Sequence, residues 1–244
     1  GAESVAAIIV EPIISGGGVI VPPEGYLRGV REICDRTGIL LIYDEVVNGF
    51  GRTGRMFGHQ HWGIKPDIIC FAKGLTSGYM PLSATVVKQH IFEAFLDEPG
   101  SDSHFRHITT YGGTPVCAAV GLKSIEILER EGLAERAAEM GDYLQQKLQP
   151  LYEHPNVGDI RGRGLLVGIE LVQNKLSKAP LDGDAVATVT KHSMANQVII
   201  GRNANTVPGF TNVLILCPPL VVTRQEIDHL ADTLQAAISA LPVG

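Results

Sequence analysis

An α/β fold, with a mostly parallel sheet, helices on both faces and a small C-terminal α/β domain, is predicted by three observations. Short, near-continuous apolar runs alternate with helical patterns through the first half of the 244 residues. Such runs read as strands buried on both faces, which is how a parallel sheet covered by crossover helices looks in sequence. Polar residues stand at the ends of those runs, where ligands collect in open α/β sheets. Beyond residue 131 the pattern changes to shorter strands mixed with helices. Two domains are therefore expected, 1–131 and 132–244, with the boundary near Gly132.

Taken in order, 5–10 reads as a strand and 24–36 as a helix whose start is marked by Pro22-Pro23. Further strands are expected at 39–43, 67–71 and 82–87. Pro115–Arg130 and 133–151 read as two helices joined at Glu131-Gly132. Leu122, Ile125 and Leu128 recur on one face of the first; Leu144, Leu148 and Leu151 do so on the second. Strands at 157–160 and 165–171 flank Arg161-Gly162-Arg163-Gly164. A helix over 183–196 leads to short strands at 198–200 and Val213–Leu216. The last helix opens after Thr223, where Glu226 completes a capping box, and carries Ile227, Leu230, Leu234 and Ile238.

Composition narrows the function classes. Hydrophobic residues make up 45% and charged residues 19%, which suits a chain with a sizeable core and large interfaces. A net charge of −6 without a basic cluster argues against a nucleic-acid partner. Every apolar stretch is interrupted well short of the roughly 20 residues a membrane helix needs, and no charged-then-apolar stretch reads as a signal peptide. Cys34, Cys70, Cys117 and Cys217 are widely dispersed, the first three within apolar patterns. They read as buried, reduced thiols of a cytoplasmic protein, and the lack of a Cys-x-x-Cys spacing argues against structural zinc. His59-x-His61 and the pair His104/His107 have no acid at ligand spacing, so they read as packing and hydrogen-bonding elements rather than a metal site.

The chemistry concentrates at two strand ends. Asp44-Glu45 closes the run Leu40-Leu41-Ile42-Tyr43, and Lys73 follows Ile68-Ile69-Cys70-Phe71-Ala72. A lysine at the end of a buried strand can be desolvated, which lowers its pKa and frees the neutral amine to attack a carbonyl. An acid on a neighbouring strand end can hold a pyridine nitrogen protonated. Together these are the two protein groups that pyridoxal phosphate (PLP) chemistry most needs. A solvated strand terminus remains the plain alternative for Lys73. An acidic strand end also suits a nucleotide-hydrolysing P-loop protein, but no Gly-x-x-x-x-Gly-Lys-Ser/Thr run occurs.

The stretch Leu41-Ile42-Tyr43-Asp44-Glu45-Val46-Val47-Asn48-Gly49-Phe50-Gly51-Arg52-Thr53-Gly54, followed by Pro66-Asp67-Ile68-Ile69-Cys70-Phe71-Ala72-Lys73-Gly74-Leu75, resembles the signature of the class III (omega) aminotransferases. Ala6-Ala7-Ile8-Ile9-Val10-Glu11-Pro12, Tyr111-Gly112-Gly113-Thr114-Pro115 and Cys217-Pro218-Pro219-Leu220 with Thr223-Arg224 resemble its flanking motifs, in the family's order. The resemblance implies the C-terminal part of a PLP fold-type I enzyme. Residues 1–131 would be the later portion of the large PLP-binding domain, with the N-terminal part absent, and 132–244 the small domain. The absent part would carry the helix N-terminus that binds the cofactor's phosphate.

The same resemblance assigns roles. Lys73 matches the Schiff-base lysine that also shuttles the proton, and Asp44 the acid paired with the ring nitrogen. Val46 matches the aliphatic residue packed on one ring face, with ordinary core packing as its alternative. Thr110 matches a threonine that donates to the PLP phosphate of the neighbouring subunit, which implies a homodimer or larger homo-oligomer; a solvated loop threonine is its alternative. In ornithine- and GABA-type relatives the residue matching Glu11 pairs with an arginine, and here that arginine's position is Ile215. The departure points to the amine or omega-amino-acid:pyruvate subgroup, in which a mobile arginine falls close to Arg202 and would hold the pyruvate carboxylate. The expected activity is transfer of an amino group from an amine or omega-amino acid to pyruvate or another oxo acid. The alternatives are a non-catalytic fragment of such an enzyme and a same-fold racemase or decarboxylase.

Overall fold

The structure is a computed structural model that describes residues 1–203, 207 and 209–241. β1 (Ala7–Val10), β2 (Leu40–Asp44) and β3 (Ile68–Phe71) lie side by side and parallel, and β4 (Ala84–Val87) joins β3 antiparallel. The register pairs Val10 with Tyr43 and Asp44 with Cys70. Three strands therefore end along one edge, and Glu11, Glu45 and the chain leading to Lys73 all emerge there. β4 reverses because residues 72–83 contain only a tight helical turn, and a parallel return needs a longer crossover.

α1 (Tyr26–Thr37) is the crossover between β1 and β2. It starts later than residue 24 because Gly25 adopts a left-handed backbone (φ 82) and turns the chain into the helix. Its buried Leu27 and Cys34 pack on Ile39, Leu41 and Tyr43, so the helix stripe and one face of the sheet close a common core. Cys34 and Cys117 are buried, Cys70 is half-buried and Cys217 is exposed, and all four are free.

After α2 (Gln89–Glu93), α3 (Pro115–Arg130) and α4 (Leu133–Leu148) meet at Gly132. The helix expected over 133–151 stops at Leu148 and tightens into a 3₁₀ turn over Gln149–Glu153. Pro150 has no N–H for the Gln146 carbonyl, which ends the α-helical ladder. A second sheet follows, built from β5 (Val157–Arg163), β6 (Leu166–Leu171), β7 (Gly201–Arg202) and β8 (Val213–Leu216). Its order is β5-β6-β8-β7, antiparallel throughout. The strand expected at 198–200 forms instead at 201–202, where the backbone meets Ile215 and Leu214. α5 (Gly183–Ala195) and α6 (Arg224–Ser239) join α4 around a core that includes Leu144, Leu148, Val189, Leu214, Leu234 and Ile238. The α6 capping box forms: Glu226 N–H donates to Thr223 Oγ1 at 3.2 Å, and Thr223 N–H to Glu226 Oε2 at 2.7 Å.

The two sheets interlock where the loop after β2 meets the turn between β5 and β6. A Cβ on Gly164 (φ +53) would lie 2.4 Å from the Thr53 carbonyl carbon, and one on Gly141 2.2 Å from the Gly164 oxygen. Only hydrogen fits at either position, so α4, this turn and the 51–54 loop stack backbone on backbone. Arg161 adds a second tie, donating through Nη2 to the Gly18 carbonyl at 2.8 Å.

Asp67, at the entry to β3, is a buried ion-pair hub. Its carboxylate accepts from Leu41 N–H at 2.8 Å, Arg31 Nη1 at 2.8 Å and Lys88 Nζ at 2.7 Å. Burial opposes its ionisation, but the Leu41 N–H, Lys88 and Arg31 outweigh that and bring its pKa down to about 2. A depressed carboxylate pKa contributes stability above the unfolded value, near 4, and that contribution is lost as pH falls toward 2. Asp67→Asn should therefore cost roughly 2 kcal/mol at neutral pH and flatten the acid limb of the stability curve between about pH 4 and 2. Denaturant melts at pH 7 and pH 3 check this; an unchanged difference between them would remove Asp67 from that role.

Candidate active site at the strand ends

Lys73 leaves β3 through Ala72 and opens a 3₁₀ turn over Lys73–Thr76. Its φ of 44 lies in the left-handed region, and Ser77 (φ 53), which closes the turn, shares that strain. Non-glycine residues held there cost free energy that the surroundings must over-determine, and such positions gather at functional sites. The surroundings do so here. A Cβ on Gly121 of α3 would lie 3.0 Å from Leu82 Cδ2 and 3.7 Å from the Leu75 carbonyl oxygen, so the helix packs closely against the turn. Thr76 is buried and donates its hydroxyl to the Met80 carbonyl at 2.6 Å. Among the described residues the Lys73 amine has no hydrogen-bonding or ion-pair partner, and the side chain is exposed into a cavity of about 900 Å³.

Asp44 ends β2, the strand next to Lys73's own. Its Oδ1 accepts from Val46 N–H at 2.9 Å, a local turn that fixes the carboxylate's orientation. The second oxygen has no partner among the described residues and is not buried. Val46 lines the cavity together with Lys73.

Two buried polar side chains, neither given a role from sequence, pin the turn that displays Asp44 and Val46. The Glu45 carboxylate is fully buried and accepts from Gly58 N–H and His59 N–H, each at 2.8 Å, with His59 Nδ1 at 2.9 Å. Asn48, also fully buried, exchanges two hydrogen bonds with the Ile13 backbone at 3.1 and 3.0 Å. A buried charge is tolerated when it is saturated by donors in this way. Beneath the turn, Tyr43, His59, Phe57 and Phe71 stack in series and Phe50 meets Phe71 edge-on, with centroid spacings of 5.0–6.0 Å. Together they join the end of β2 to the end of β3. Glu45 was visible in sequence as Asp44's neighbour, but its partners lie 13 and 14 residues on and carry no local signal.

Asp44 is not among the residues that line this cavity, and neither are the remaining predicted residues. Glu11, just past β1, folds back on Ser15, whose N–H donates to Oε2 at 3.1 Å and whose hydroxyl donates to the same oxygen. Thr110 is exposed in the stretch before α3. Arg202 is exposed on edge strand β7, where Nη1 donates to the Gly183 carbonyl at 3.4 Å. His59 is held by Glu45, and His61 Nε2 faces the Thr53 carbonyl at 2.9 Å. No group of three or more potential metal ligands occurs among the described residues, and none of their helices is long and apolar enough to cross a membrane.

A mostly parallel α/β sheet with a strained lysine at one strand end and an acid at the next is the architecture of the fold-type I aminotransferases. The chain belongs to the class III aminotransferase family, whose model matches residues 1–238. It is 48% identical over 239 residues to an uncharacterised aminotransferase of Bacillus subtilis, covering 98% of this chain and 53% of that protein. It is 42% identical over 243 residues to the taurine–pyruvate aminotransferase of Bilophila wadsworthia, covering 99% and 53%. Its structure superposes, with a TM-score of 0.91 and 41% identity, on an amine transaminase from an uncultivated Pseudomonas species in its PLP-bound form, covering 99% of this chain and 54% of that one. The chain spans about half the length of the curated relatives it matches.

Proposed function

We propose that this chain carries the catalytic lysine of a PLP-dependent aminotransferase that moves an amino group from an amine or omega-amino acid to pyruvate. The observation that carries this reading is Lys73, strained at the end of β3 with an unpaired amine opening on a cavity next to the strand that ends in Asp44. These residues fit the cofactor by their chemistry: an amine for its aldehyde, an acid with one free oxygen for its ring nitrogen, and an aliphatic side chain for a ring face. When bound, PLP supplies an electron sink for the bond that loses its proton. Lys73 would hold the cofactor, then carry that proton as general base and acid. Asp44 would keep the ring nitrogen protonated, and Val46 would pack against the ring. The taurine–pyruvate relative supports pyruvate as acceptor.

Thr110 would donate to the phosphate of a neighbouring subunit, making the enzyme a homodimer; exposure of Phe105 (66%), Ile108 (91%) and Tyr111 (87%) in the same stretch supports an interface there. Glu11 and Arg202 would contact substrate, and Arg202→Gln raising the KM for pyruvate is the readout for the latter. The domain boundary at 131/132 is supported by a separate core whose buried members all fall within 137–241. Free, dispersed cysteines support a cytoplasmic location, which fractionation reads directly. The test of the reading as a whole is alanine formation from pyruvate with taurine, putrescine or an aryl amine as donor, alongside sedimentation with and without PLP. No alanine from any donor would overturn the activity, and a monomer carrying stoichiometric PLP would overturn the role of Thr110.

A further inference from the structure

Glu45 is bonded on every side. Its N–H donates to the carbonyl of Cys70, on the strand that leads to Lys73, at 3.0 Å, and its own carbonyl accepts from Gly49 N–H at 2.9 Å. Its fully buried carboxylate takes Gly58 N–H on Oε2 and His59 N–H on Oε1, each at 2.8 Å. Oε1 is thus an acceptor, so His59 Nδ1, which faces it at 2.9 Å, is a third donor. A Cβ on Gly58 would lie 2.8 Å from Asn48 Cβ and 3.2 Å from Glu45 Oε2, so no side chain fits there without displacing the turn. The receiving strip is itself anchored. His61 Nε2 faces the Thr53 carbonyl at 2.9 Å, and Trp62 packs on the cores around Leu41 and around Ile13. A buried carboxylate with three donors is held far more firmly than one in water.

Asp44 has much less of its own. Among the described residues its side chain makes one hydrogen bond, from Val46 N–H two positions on. That bond fixes the carboxylate to the turn but does not fix the turn to the molecule. The neighbours on either side of Asp44 do so. Tyr43 stacks on the His59 ring, with centroids 5.8 Å apart and planes 27° from parallel, and Glu45 binds the same ring and its backbone. Asp44 is therefore held from both sides through His59. Resting on the aminotransferase reading, we propose that Glu45 is a positioning residue: by gripping residues 58 and 59 it sets the direction in which the free oxygen of Asp44 meets the cofactor's ring nitrogen. Glu45 does not line the lysine's cavity and acts through Asp44. Misplacing such a partner by about 1 Å can cost about 100-fold in rate.

The experiment compares the wild-type protein with Glu45→Gln, His59→Phe and Asp67→Asn, and combines the first two with Asp44→Asn. Glu45→Gln keeps the size but sets an amide NH2 against one of the donors. His59→Phe keeps the ring stack and drops Nδ1. Hydrogen exchange of the protein without PLP reads the turn itself: amides of residues 45–50 should exchange about tenfold faster or more in Glu45→Gln, and those of the second sheet should not change. With PLP loaded, kcat per bound cofactor should fall by about tenfold or more, with the KM for amine and for pyruvate within about twofold of wild type. In the Asp44→Asn background the same change should cost less than about twofold more, because the residue it works through is already disabled. Asp67→Asn, destabilised at the entry to β3, should leave turn exchange and kcat at wild-type values. Losses that simply add in the double variant, an equal loss in Asp67→Asn, or unchanged exchange over 45–50 overturn the proposal. If Glu45→Gln does not fold, His59→Phe is read by the same criteria, with losses of about threefold or more expected. A wild type that makes no alanine contradicts the aminotransferase reading, and exchange alone then upholds or overturns the hold of Glu45 on the turn.

Discussion

Lys73→Ala should abolish transamination, by roughly 10³-fold or more, and remove the yellow, borohydride-bleached colour of the cofactor-loaded protein. The fold should persist. The side chain is exposed and makes no hydrogen bond among the described residues, so its loss empties no core and orphans no partner. The backbone strain at φ 44 is the same for alanine as for lysine, so it does not confound the comparison. Circular dichroism and thermal melting report the fold, while absorbance and alanine production report the amine. Turnover within about tenfold of wild type, after excluding rescue by added amines, would place the reactive amine elsewhere.

Asp44→Asn should keep bound cofactor and lose about 100-fold or more in kcat, the scale seen when one preorganised electrostatic partner is removed. The substitution is unusually clean. Asparagine retains the Oδ1 that accepts from Val46 N–H, so the turn keeps its shape and only the charge is lost. A neutral amide cannot stabilise a protonated ring nitrogen, so the loss falls on kcat rather than on cofactor retention. A fall of less than about tenfold, with cofactor still bound, would assign that proton to a different partner.

Much of the fold was legible because the signals are local. Apolar runs at 7–10, 40–43 and 68–71 around one helical pattern read as neighbouring strands of a parallel sheet, and they pair in that order. Ile9 on β1 is 61% exposed, so burial on both faces is not complete among the described residues. Thr223 and Glu226 lie within one turn of each other, so their capping box was readable from spacing alone. Misreadings came where a non-local partner or a missing donor intervened. The expected strand at 198–200 slid to 201–202 to meet β8, and the expected helix over 133–151 ended early at Pro150.

The candidate site divides along the same line. Lys73 and Asp44 were proposed from their strand ends and Val46 from resemblance, and Lys73 and Val46 line one cavity, whereas Asp44 does not line it. Glu11, Thr110 and Arg202 are supported by resemblance; within this chain none of them lines that cavity. The sequence by itself determined which side chains stand at the ends of which strands, because strand period and chain order set that directly. Only the tertiary structure decided that Glu45 closes on residues 58 and 59, and that Arg52, held by Leu165 and Pro218, lines the lysine's cavity. The Arg52 contacts span more than 100 residues, 113 in one case and 166 in the other. Spacing along the chain carries no trace of such pairs; they exist only once two sheets have packed together.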